Sequence, residues 1–139
     1  MPENEAIFSR VGEKEVTRAI LQRFTSEFSD YVESDCLIIG GGPSGLTAAM
    51  EMCERGVKTL LIERNNYLGG GYWLGGYLMN KVTFRAPAQK VLDKIGLPYE
   101  EDCPGLYVSD GPNAVAKLIS AAYDAGVKVA NITEMDEVV

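Results

Sequence analysis

The sequence predicts an α/β fold built on a parallel sheet and preceded by an N-terminal amphipathic helix. Three observations carry that reading. Short apolar runs at residues 35–39, 58–62 and 127–132 are bounded by glycine or polar residues, as buried parallel strands are. Between them lie stretches whose apolar residues recur at helical spacing. A cluster of glycines stands where the first of these strands gives way to the next helix.

Taken in order, residues 1–11 read as a loose, charged start. Residues 13–28 read as an amphipathic helix, with Val16, Ile20, Phe24 and Phe28 every fourth residue and Leu21 beside them. The strand at 35–39 leads into a helix at 43–55, whose face is Leu46, Ala49, Met50 and Cys53 and whose stop is Gly56. The second strand, 58–62, runs through Leu60, Leu61 and Ile62. Residues 64–81 are glycine-rich, aromatic and irregular. A helix at 87–95 ends on Gly96-Leu97-Pro98, and a short strand is expected at 106–108. Pro112 suits the first turn of a helix at 110–125, which Gly126 closes before the strand at 127–132. The organisation is thus an arm and helix over residues 1–30, then one partial domain over 31–139. Alternating strands and helices of this kind form a parallel sheet.

The chain has 139 residues, of which 46% are apolar and 24% charged, an ordinary balance for a soluble domain. Thirteen basic against twenty acidic side chains give a net charge of −7 with no basic stripe, which argues against nucleic acid and anionic membranes as partners. No apolar run is long enough to span a bilayer, and residues 1–10 lack the apolar core of an export signal. Three cysteines without CxxC spacing point to reduced thiols and a cytoplasmic protein. Cys36 and Cys53 are expected in the core, Cys103 in a polar loop. The chain has no histidine, so no mechanism can draw a histidine base or metal ligand from it.

Chemistry concentrates at Gly40-Gly41-Gly42-Pro43-Ser44-Gly45, which matches the GxGxxG fingerprint of a dinucleotide-binding β-α-β unit. Gly40 permits the tight turn off the strand. Gly42 lets a pyrophosphate approach the backbone, and Gly45 lets helix and strand pack closely. The helix starting at Pro43 directs unpaired N–H groups and its positive dipole end at the phosphates. The second strand ends on Glu63, eighteen residues after Gly45, where a carboxylate can accept hydrogen bonds from both ribose hydroxyls. It would repel a 2′-phosphate, which favours NAD, FAD or ADP-ribose over NADP. Arg64 reads as a second clamp on the ribose or pyrophosphate. The core is therefore Rossmann-like, of the FAD/NAD-binding type.

A second glycine cluster, Gly69-Gly70-Gly71-Tyr72-Trp73-Leu74-Gly75-Gly76, follows within a few residues, as where backbone must lie against a ligand. Together with residues 40–49, Glu63-Arg64, Asn80-Lys81, Tyr107 to Asp110, and Glu134-Met135-Asp136-Glu137-Val138, this segment resembles the thiamine thiazole synthase family. The likeness extends to residues 15–20, and so covers nearly the whole chain. It implies a two-dinucleotide-binding-domain flavoprotein fold that consumes NAD as a substrate. The implied reaction loses nicotinamide, condenses the ADP-ribose part with glycine, and inserts sulfur from sulfide or a protein cysteine, with iron(II) assisting. It further implies that Ser44 and Gly71 contact the NAD pyrophosphate region, that Glu63 and Arg64 surround the adenosine ribose, and that Met135 lies at the adenine edge. The implied partners are NAD, glycine and sulfide, in a homo-oligomer.

The chain also departs from that pattern. The family's usual Gly-Met-Trp-Gly-Gly stands here as Gly-Tyr-Trp-Leu-Gly-Gly. The iron-binding Asp and His, the sulfur-donor position and the glycine-binding Arg belong to a second half with no counterpart before Val139, so catalytic residues and metal ligands stay unassigned. The expectation is a nucleotide-binding half that is inactive alone and poorly stable in isolation. Two other readings remain open: the FAD-binding portion of a flavin-dependent oxidoreductase, and a non-catalytic adenine-dinucleotide-binding module.

Overall fold

The structure is a computed structural model, and it describes residues 9–138. The chain divides into two compact units, Met1–Glu33 and Ser34–Val139.

The first unit contains helix α1, Glu13–Asp30. It runs two residues past the expected end, since neither Ser29 nor Asp30 forbids helical backbone. Glu13 and Glu15 stand in its first turn, where carboxylates favour the positive end of the dipole. The periodic residues Val16, Ile20, Phe24 and Phe28 share one exposed stripe, and the Phe24 and Phe28 rings stack at 5.7 Å.

The second unit carries two three-stranded sheets. The parallel one has β1 (Cys36–Ile39), β2 (Thr59–Glu63) and β6 (Lys128–Asn131) in the order β1-β2-β6. Cys36 to Ile39 pair with Thr59 to Ile62, and Leu60 to Glu63 with Lys128 to Asn131. Helix α2 (Pro43–Glu54) joins β1 to β2, and α4 (Gly111–Asp124) leads into β6. Leu46, Ala49 and Met50 of α2, Leu61 of β2, and Leu118 and Ala122 of α4 close one core with Val127. Burying each large apolar side chain contributes about 1.5–3 kcal/mol, so this seam fixes both helices on the sheet. Cys53 packs against the same core, Cys36 is half-buried and Cys103 is exposed.

Strand β1 is an edge of this sheet. The amides of Cys36 and Gly40 donate to the carbonyls of Lys58, just before β2, and of Ile62 within it. Alternation along the strand therefore turns the N–H and C=O of Leu37 and Ile39 away from β2, off the sheet edge. The side chains of Leu37 and Ile39 are exposed as well.

The second sheet is antiparallel, in the order β3-β5-β4, with β3 at Lys81–Arg85, β4 at Glu100–Cys103 and β5 at Leu106–Asp110. It stands beside the parallel sheet that the sequence predicts and was not itself expected. The strand expected at 106–108 belongs here, because the turn at Pro104-Gly105 is far too short for a parallel crossover. Val82 and Phe84 point from β3 into a second core with Leu92, Leu97 and Ala114. Leu92 comes from α3 (Gln89–Lys94), a shorter helix than the sequence predicts, preceded by the cis peptide Ala86–Pro87. Helix α4 begins under an N-cap: the Asp110 carboxylate accepts the Asn113 N–H at 2.9 Å.

Candidate functional site

At the carboxyl end of β1 the chain turns through Gly40, whose φ of +97° is open to glycine and costly for other residues. Gly45 lies directly against that turn, and a Cβ there would overlap the Gly40 carbonyl oxygen. Gly42 is the N-cap of α2, and no side chain caps this end, which leaves first-turn amides available to an anion. A Cβ on Gly42 would meet nothing within 4 Å. Its missing side chain therefore serves no internal packing; it keeps a surface open above the backbone. Ser44 is exposed on the same first turn. This cradle fits a diphosphate.

Glu63 ends β2 and is buried beside the loop. Its Oε2 accepts the Gly41 N–H at 2.7 Å, while Oε1 accepts both the backbone N–H and the side-chain Nδ2 of Asn65, at 2.8 and 2.9 Å. Above all the Asn65 amide, with help from the Gly41 amide, the Asn65 side chain and nearby Arg64, holds the Glu63 carboxyl below its ordinary range against the opposing effect of burial. An ionised carboxylate offers about four acceptor positions, of which these donors fill three. One position on Oε2 is left open to a further donor.

The second glycine cluster folds back onto the first. The Gly69 N–H donates to the Gly41 carbonyl at 2.8 Å, and Gly70 packs on Gly42, a Cβ at Gly70 standing 3.4 Å from the Gly42 Cα. Residues Gly70–Trp73 make a single 3-10 turn, anchored by the Trp73 indole N–H on the Leu68 carbonyl at 2.8 Å. Gly71 faces open space as Gly42 does. Tyr72 points the other way, its ring edge-on to Phe84, and burial raises its phenol pKa. The segment that the sequence left irregular is thus held by four defined contacts.

The residues expected at the adenosine side meet in a cleft of about 240 Å³ lined by Ile39, Gly40, Ile62, Glu63, Arg64, Thr133, Glu134 and Met135. Four of the predicted residues, Gly40, Glu63, Arg64 and Met135, line this cleft together. Gly42, Ser44 and Gly45 follow on the adjoining turn of α2, and Gly71 stands on the second glycine segment. Arg64 is largely exposed and reaches Glu134 at 4.0 Å across the mouth. The far wall is set by Ile132, which adopts a left-handed φ of +54°. Its N–H then donates to the Asn65 carbonyl, and the Thr133 N–H to that of Glu63, at 3.2 and 3.0 Å. Thr133, Glu134 and Asn65 are additions to the sequence reading. Asn65 carried a weak signal, an amide side chain two residues after the acidic strand end, where a turn can fold it back.

The donor set does not fit an iron site. The chain has no histidine, and among the described residues no group of His, Cys, Asp and Glu side chains could hold a metal ion. Nor, among them, is any helix long and apolar enough to cross a membrane.

Comparison with known proteins agrees with this geometry. The model of the Thi4 family matches residues 17–139. Thiamine thiazole synthase from Aeropyrum pernix is 51% identical over 133 residues, spanning 96% of this chain and 49% of that protein. The enzyme of the same name from Archaeoglobus fulgidus is 40% identical over 132 residues, spanning 95% and 50%. The crystal structure of Thermovibrio ammonificans THI4 superposes with a TM-score of 0.85 at 32% identity, over 88% of this chain and 48% of that one. The chain therefore spans about half the length of the relatives it matches. On this match of sequence and fold, the chain belongs to the Thi4 family.

Proposed function

We propose that this chain is the nucleotide-binding half of a thiamine thiazole synthase, and that it holds NAD by its ADP-ribose part as a reactant. The observation that carries the reading is the cleft shared by Gly40, Glu63, Arg64 and Met135, with the uncapped start of α2 two residues on from Gly40. In this assignment the first-turn amides of α2 bind the diphosphate over Gly42, and Gly71 leaves room for it from the second glycine segment. Glu63 accepts a ribose hydroxyl, Arg64 adds positive charge at the mouth, and Met135 flanks the adenine. A buried carboxylate at the ribose excludes a 2′-phosphate by charge repulsion and desolvation.

Condensation with glycine and insertion of sulfur from sulfide need groups at the reacting end of the nucleotide. The residues assigned here grip only the adenosine end, and the iron implied by the family has no ligands among them. On this reading the chain alone binds NAD without turning it over. The protein works in the cytoplasm as a homo-oligomer, and its odd set of free cysteines supports a reducing compartment.

Calorimetric titration of the chain with ADP-ribose, NAD, NADP and FAD tests the proposal. Binding of ADP-ribose and NAD with similar affinity, and of NADP at least about tenfold more weakly, is expected from a carboxylate at the ribose. Absence of ADP-ribose binding would overturn it. Flavin absorbance in the purified protein, with tight FAD binding, would replace it with the flavoenzyme reading.

A further inference from the structure

Of the donors around Glu63, only Asn65 presents two to the same oxygen. Its backbone N–H and its Nδ2 lie 2.8 and 2.9 Å from Oε1, so the carboxylate cannot rotate about its last bond without breaking both. The Gly41 N–H at 2.7 Å then fixes Oε2. All three contacts are donors to the carboxyl and none is an acceptor, which is the environment of an ionised carboxylate; a carboxamide would set a donor against a donor. Asn65 is itself pinned, its carbonyl accepting the Ile132 N–H at 3.2 Å. The residue thus links the end of β2 to the wall of the cleft opposite. The charged side chains that share this cleft are Arg64, beside Glu63 in the chain, and Glu134, which faces Arg64 at the mouth.

We propose that Asn65 is the positioning residue of the ribose site: it saturates Oε1 of Glu63, so that only Oε2 is presented to the nucleotide. This rests on the reading of the cleft given above and adds to it a second determinant of ribose recognition. Asn65 does not touch the nucleotide. It sets the orientation and charge of the group that does.

Two substitutions and one titration test the role. In Asn65→Asp a second carboxylate faces Oε1. At about pH 8 both are ionised and ADP-ribose affinity falls about tenfold or more; toward about pH 5.5 one shared proton restores a donor and affinity recovers. In Asn65→Leu, similar in size but without the donor, affinity falls several-fold with no such pH trend. The unaltered protein binds evenly across the range. A merely structural asparagine would not give one variant a pH dependence that the other lacks. Folded variants that bind ADP-ribose as the unaltered chain does would overturn the proposal.

Should either variant fail to fold, a carbon-13 titration of the Glu63 carboxyl in the unaltered protein decides. The Asn65 side-chain amide resonances are expected to move with the Glu63 midpoint, below the ordinary glutamate range. Asn65 resonances that stay fixed while Glu63 titrates would overturn the role. Failure of the unaltered chain to bind ADP-ribose would count against the cleft reading alone, since the titration needs no nucleotide.

Discussion

The Glu63 carboxylate and the Gly41 amide meet at 2.7 Å although 22 positions separate them in the chain. That bond ties the end of β2 to the turn that leaves β1. The Gly41 carbonyl in turn receives the Gly69 amide at 2.8 Å. The acidic strand end and both glycine segments therefore form one connected unit, and damage at Glu63 should spread along it.

Glu63→Gln is expected to destabilise the fold by about 1–3 kcal/mol at neutral pH, because the carboxamide must turn its NH2 toward a donor. The difference should depend on pH with a definite sign. The folded-state pKa of Glu63 is depressed, so its contribution is fully present above the unfolded value and disappears as pH falls through the folded one. Urea unfolding of both proteins across the acid range checks this. A gap that stays constant into strong acid would contradict it.

Two glycines of one loop should respond oppositely to alanine. A Cβ on Gly45 would overlap the Gly40 carbonyl, so Gly45→Ala should cost about 1–3 kcal/mol of stability by overpacking. Gly42 has φ −75° and open space around the missing Cβ, so Gly42→Ala should change stability by less than about 0.5 kcal/mol. ADP-ribose affinity should nonetheless fall about tenfold or more, since the methyl group occupies the diphosphate approach. Thermal unfolding and calorimetry on both variants separate packing from binding.

Ile132 holds a left-handed conformation with a branched side chain that is three-quarters exposed. Such backbone costs about 1–3 kcal/mol, and little burial offsets it here. Ile132→Asn should raise the unfolding midpoint, because asparagine tolerates this region and the Asn65 carbonyl keeps its bond to residue 132. A lower midpoint would show that the side chain contributes packing.

Lys94 on α3 bridges Glu51 and Glu54 on α2. The Glu51 hydrogen bond, then that of Glu54, raises the Lys94 pKa, and the same contact lowers that of Glu51. The cluster is open to solvent, so Lys94→Ala should lower the unfolding midpoint slightly at low ionic strength and not at all in high salt. A salt-independent loss would point to packing of the lysine stem.

Legibility in the sequence follows how locally each feature is determined. Strands β1, β2 and β6 and helices α2 and α4 are readable because apolar period and glycine stops coincide, as at Leu46, Ala49 and Met50 before Gly56. The alternation in Lys81–Arg85 carried the signal of β3, with Val82 and Phe84 inward, but the surrounding glycines and aromatics obscured it. Strand β4 had no such signal: Glu100, Glu101 and Asp102 are all exposed, and their order comes from pairing with β5. Within the site, Gly40, Gly42, Gly45 and Glu63 follow from the fingerprint. Met135 was legible only through family likeness, since nothing local brings the segment after β6 back across β2. Asn65 gave only a weak signal, because its contact with Glu63 exists only once the turn folds its amide back.

The outer side of β1 has a practical consequence. Leu37 and Ile39 offer a ready template of hydrogen-bonding groups flanked by oily side chains, with no charge or proline to deter a visitor. Purified preparations of this chain should therefore thicken into strand-paired aggregates as concentration rises. A lysine placed at Leu37 should keep them clear.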